Sequence, residues 1–118
     1  MTSEELKKRT KAFAVAIIKL GDEIPKKRAG DIIYGQLLRA SSSVGADYRA
    51  ACRARSRADF ISKITIVEEE ADESAYWLEL FVEPGLMKLE RLAPLIKEAK
   101  ELTAIFTSSG KTAKSNRG

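Results

Sequence analysis

At 118 residues, 44% hydrophobic and 32% charged, the chain has the size and composition of one globular domain. Its single cysteine, Cys52, excludes an internal disulfide and a zinc quartet, and the lack of any histidine removes imidazole from acid–base chemistry. A net charge of +4 favours polyanionic partners.

With three prolines and seven glycines among many Ala, Leu, Glu, Lys and Arg, the chain reads as helix throughout. The first helix is expected over about Ser3–Leu20, with Ser3 as N-cap, Glu4 and Glu5 in the first turn, and Leu6, Thr10, Phe13, Ile17 and Leu20 as its buried stripe. Gly21 should stop it, leaving Gly21–Arg28 as a basic loop around Ile24-Pro25. A second helix should begin near Ala29 or Asp31 and run to about Arg55, with Ile33, Leu37, Ala40, Val44 and Ala51 on one face. Ser41, Ser42, Ser43, Gly45, Ala46, Ala50 and Ala54 cluster around them, and side chains this small imply close approach of a neighbouring helix. Asp47 falls at the edge of that stripe and needs a partner if buried.

Ser56 followed by Asp59 has the spacing of a capping box, so the next helix should fold straight back. Its face is read as Phe60, Ile64, Val67, Ala71, Ser74, Ala75, Leu78 and Val82, ending at Pro84-Gly85. A second apolar strip, Ile66, Trp77 and Phe81 with Glu70 among them, exceeds what one bundle needs and is read as a subunit interface. The fourth helix should span about Leu89–Ser108, with Pro94 in its first turn or kinking it, and Leu92, Leu95, Ile96, Ala99, Leu102, Thr103 and Phe106 as its stripe. The expected fold is all-α: an antiparallel up-down four-helix bundle over residues 1–109, followed by a disordered basic tail over 110–118.

Catalytic machinery is not visible. The acids Glu68–Glu73 read as a solvated or salt-bridged face, because carboxylate-bridged metal sites in bundles also use histidine. Cys52 reads as a small packed residue, and Gly110-Lys111-Thr112 lacks the earlier glycine and the strand of a phosphate-binding loop. No cofactor or metal site is expected, and the chain is read as a non-enzyme. Phosphate contact has more support, from Lys7, Lys8 and Lys11, from Lys26, Lys27 and Arg28, and from Arg49, Arg53, Arg55 and Arg57. No aromatic motif for base readout accompanies them. The alternative is a protein-binding scaffold whose acidic third helix docks a basic partner. No apolar run approaches the ~20 residues that cross a bilayer, and MTSEELKKRT has no hydrophobic signal core, so a cytoplasmic protein without membrane contact is expected.

The run Arg39–Ala46 (RASSSVGA), then Tyr48–Ser56 (YRAACRARS), Asp59-Phe60-Ile61, Glu68–Ser74 (EEEADES) and Trp77-Leu78-Glu79 resembles a bacterial four-helix-bundle family. That family includes proteins encoded in intervening sequences of 23S ribosomal RNA genes. Leu95–Ala99, Glu101-Leu102 and Ile105-Phe106 are similar to it as well. The resemblance implies a homo-oligomer, commonly a pentamer. It also implies kinship with the accessory protein of diversity-generating retroelements, which binds nucleic acid and a reverse transcriptase through basic surface. Asp47 departs from the asparagine usual at its position in the family, and no catalytic residue carries over.

Overall fold

The computed structural model describes residues 1–116. Four helices follow one another: α1 (Ser3–Leu20), a 3-10 turn over Gly21–Glu23, α2 (Arg28–Ala51), α3 (Arg57–Val82) and α4 (Leu89–Ser115). There is no strand among the described residues. The molecule measures 52 × 22 × 20 Å, the shape of long helices laid side by side. Paired residues run in opposite numerical order along neighbouring helices. Tyr34 of α2 donates to the Ile17 carbonyl of α1, whereas Gly45, further along α2, lies against Thr10, earlier in α1. Gly110 likewise faces Ile64, while Thr107 donates to Glu68.

Local chemistry accounts for the helix ends. Thr2, not Ser3, caps α1: its hydroxyl oxygen accepts the Glu5 N–H at 3.1 Å. Gly21 continues into a 3-10 turn, and its missing side chain makes room for Tyr34, since a Cβ there would meet the Tyr34 hydroxyl at 2.8 Å. Helix α2 ends at Ala51, four residues before the expected limit, where the chain tightens through Arg53 N–H to Ala50 O and Ala54 N–H to Ala51 O. Ser56 then caps α3, accepting the Asp59 N–H at 3.0 Å, while the Asp59 carboxylate reaches back to the Arg55 N–H at 3.0 Å. This is the reciprocal cap expected from the sequence, displaced by one residue on its return arm.

The core collects the stripes of all four helices: Phe13, Ile17 and Leu20; Leu37, Ala40 and Val44; Ile64, Val67, Ala71 and Leu78; Leu92, Ala99, Leu102 and Phe106. Two expectations are corrected. Phe81, assigned above to an outer strip, is fully buried, whereas Val82, assigned to the core, is only half-buried. The buried positions 64, 67, 71, 74, 78 and 81 alternate by three and four. That is the 3.5-residue seam of helices packed nearly side by side, which drifts away from a simple 3.6 count over two or three heptads.

A further correction concerns α4, which passes through Gly110 to Ser115. Residues 110–115 are therefore helical rather than a disordered tail, and Arg117 and Gly118 lie outside the described residues. Gly110 is buried four residues after Phe106, on the side of α4 that faces Ile64 of α3, which would stand 3.5 Å from an added Cβ. Pro94 sits inside α4, in the second turn.

Candidate nucleic-acid interface

The small residues of α2 serve the crossing with α1. Thr10 is fully buried, its hydroxyl donating to the Leu6 carbonyl at 2.8 Å. Opposite it, a Cβ on Gly45 would stand 3.2 Å from the Thr10 hydroxyl oxygen and 3.6 Å from the Thr10 backbone carbon, so α1 and α2 cross closely here. Outside this crossing runs a shallow groove. Lys7, Thr10, Lys11 and Ala14 form one wall, and Ser42, Gly45, Ala46 and Arg49 the other. It opens into a wider hollow of about 360 Å³ bordered by Glu4, Lys7, Lys8, Lys11 and Arg49.

The structure thus brings together four of the basic residues singled out in the sequence. Lys7 pairs with Glu4 at 3.1 Å. Among the described residues, Lys8, Lys11 and Arg49 have no acidic partner within ion-pair distance. Arg9 is withdrawn from the groove: it donates to Glu98 at 2.8 and 2.6 Å and to Glu101 at 2.9 Å, tying α1 to α4. The Glu98 hydrogen bond is the largest influence raising its pKa, so the group is held charged and occupied.

Arg53, Arg55 and Arg57 are exposed at the α2–α3 turn, just beyond the helical turn that holds Arg49. The same end carries Lys111 and Lys114 of α4. Lys26, Lys27 and Arg28 are also exposed, but they lie at the other end of α2, roughly 36 Å away at 1.5 Å per residue. The three sequence clusters are therefore not one surface: two share an end of the bundle and the third is remote. Sequence reasoning missed Glu4 at the hollow's rim and the groove-lining role of Ser42 and Ala46, which was hidden because small residues were read only as helix-packing devices.

On α3, Arg39 of α2 donates to Glu70 at 3.3 Å and to Glu73. Burial, more than neighbouring charge, raises the Glu70 pKa, with Glu73 and Asp47 adding repulsion. Asp47 itself is half-buried and has no ion pair among the described residues. Ile66 is exposed, and the half-buried Trp77 donates its indole N–H to Glu73 at 3.2 Å. Tyr76, absent from the sequence-derived strip, is 55% exposed and stands edge-on to Trp77. Among the described residues, no group of three or more acids or cysteines could hold a metal ion, and no helix is long and apolar enough to cross a membrane.

Set against known proteins, residues 3–108 match the family model of the 23S rRNA-intervening sequence protein. A crystal structure of a protein of unknown function from the S23 ribosomal protein family of Bacteroides thetaiotaomicron superimposes with a TM-score of 0.85 at 32% identity. The match covers 94% of this chain and 99% of that one. No curated protein matches the chain.

Proposed function

Because the chain belongs to the 23S rRNA-intervening sequence protein family, we propose that it is a non-enzymatic adaptor that binds RNA, or RNA paired with DNA, through the groove between α1 and α2. The observation that carries this reading is the convergence of Lys7, Lys8, Lys11 and Arg49 on one hollow, answered there among the described residues by Glu4 alone. Cations held on two helices can neutralise successive phosphates, and walls as low as Ser42, Gly45 and Ala46 leave space for a sugar–phosphate strand. Among the described residues no aromatic side chain lines the groove, so contact through the backbone rather than through bases follows.

In this reading the antiparallel up-down bundle is the repeating unit of a cytoplasmic homo-oligomer, a pentamer as the resemblance implies. Ile66, Trp77 and Tyr76 supply subunit contact. Repetition of a modest basic groove around such an assembly multiplies its affinity. A reverse transcriptase remains the protein partner that the resemblance implies.

The test is fluorescence anisotropy with generic single-stranded RNA at low salt, comparing Arg49→Glu with Lys27→Glu. Reversal at Arg49 should weaken binding by at least about tenfold, as expected for removing a phosphate contact and adding repulsion, whereas reversal at the remote Lys27 should change it little. Equal losses would remove the groove as the site. No binding by the wild type would favour the protein-scaffold reading, which a pull-down resistant to nuclease would then support.

A further inference from the structure

Where the first turns of α3 pass the last turns of α4, the surface opens into a hollow of about 410 Å³ lined by Phe60, Ser108, Ser109, Thr112, Ala113 and Asn116. That volume lies within the ~300–1,000 Å³ of small-ligand clefts. Phe60 is half-buried, and among the described residues no other aromatic ring stacks on it. Opposite it α4 offers mostly small side chains, so part of the ring stays open to the hollow. Ser109 donates to the Ile105 carbonyl at 3.0 Å. The exposed Ser108, Thr112 and Asn116 side chains make no hydrogen bond among the described residues, which leaves their donors and acceptors free.

The surroundings are positive. Arg57 stands one turn before Phe60 and Lys111 adjoins Thr112, both exposed and without an ion pair among the described residues. Asp59, the acid nearest Phe60 in sequence, is already occupied: its carboxylate accepts from Lys63 at 2.6 Å and from the Arg55 N–H at 3.0 Å. The turn bearing Arg53 and Arg55 joins this end of α3 to the end of α2 that carries Arg49. A strand leaving the α1–α2 groove past Arg49 therefore meets an attractive potential on its way to Phe60.

We propose that this hollow takes one unstacked base of the strand whose sugar–phosphate chain lies in the α1–α2 groove. This rests on the nucleic-acid reading above and narrows its ligand to unpaired segments. The base stacks on the Phe60 ring, and Ser108, Thr112 and Asn116 hydrogen-bond to its edge. Groove and hollow divide the work: cations hold the backbone without regard to sequence, and an aromatic face holds a base that a duplex keeps within its own stack.

The experiment is fluorescence anisotropy on full-length protein, with a labelled oligouridylate and an RNA duplex of the same length, and circular dichroism to confirm folding. Phe60→Leu keeps an apolar side chain against the core, yet should weaken oligouridylate binding by about tenfold. Duplex affinity and the salt dependence should stay as in the wild type, and Phe60→Trp should bind oligouridylate at least as well as the wild type. An unchanged oligouridylate affinity in Phe60→Leu, or equal losses on oligouridylate and duplex, would overturn the proposal. So would a Phe60→Trp variant as weak as Phe60→Leu. Arg49→Glu separates the two readings: a loss there with Phe60→Leu silent keeps the groove and removes the hollow, whereas a loss in Phe60→Leu alone keeps the hollow and removes the groove. A wild type that binds neither RNA would overturn both.

Discussion

Two glycines of α2 provide an internally controlled test of the packing. Gly35 has nothing within 4 Å of where a Cβ would stand, whereas at Gly30 a Cβ would be 2.5 Å from the Pro25 carbonyl oxygen and 3.4 Å from the Ile24 side chain. That carbonyl already accepts the Lys27 N–H at 2.8 Å, so it cannot turn aside without breaking the loop that starts α2. Alanine gains about 1 kcal/mol over glycine in an exposed helix interior, and Gly35→Ala should realise that gain. Gly30→Ala receives less of it so near the helix start and meets an overpacking cost of roughly 1–3 kcal/mol. The two variants should therefore differ by about 2 kcal/mol in opposite directions from the wild type, read by urea denaturation followed by far-UV circular dichroism. Equal stabilisation by both would refute the close approach of Pro25 to Gly30 and with it the described path into α2.

Phe81→Ala should cost about 3–5 kcal/mol as a buried aromatic truncation. Tyr76→Ala should leave unfolding free energy nearly unchanged, so equal losses in denaturation would contradict the placement of Phe81 in the core. Ser56→Ala should cost about 1 kcal/mol by removing the cap of α3, and an unaltered midpoint would show that the cap is not used in solution. Hydrogen bonds from Lys63 first, then from the Arg55 N–H, hold the Asp59 carboxyl below its ordinary value of 3.8. Its stabilising effect is thus complete above that value and lost as pH falls through the lower folded one. Asp59→Asn should flatten the acid limb of a stability–pH profile, and a limb identical to the wild type would exclude this linkage.

Much of the fold was legible because its signals were local. Ser56 and Asp59 announce a turn by chemistry that acts over four residues, and the stripe from Leu6 to Leu20 needs only helical periodicity. Phe81 was misplaced because its burial depends on α3 being gripped by helices on two sides, and a face drawn on one helix in isolation does not include that. Gly110 misled in the same way: as a sequence signal it ends helices, yet here α4 continues through it against α3, with Ile64 3.5 Å from where a Cβ would stand. For the candidate site, charge clusters could be read directly, but their grouping could not. Lys7 and Arg49 meet only because Gly45 lets α1 and α2 cross closely, and Arg28 is carried away by the length of α2 itself. Arg9, indistinguishable from its neighbours in sequence, is removed from the site by Glu98 on α4.

The measurement closest to the central proposal is the affinity of the wild-type protein for generic single-stranded RNA as a function of salt. Four groove cations, each displacing counterions at about 0.7 per phosphate, predict a slope of roughly −3 in log affinity against log salt. The slope should become shallower by about 0.7 in Arg49→Ala. No binding at low salt, or an affinity indifferent to salt, would contradict the account.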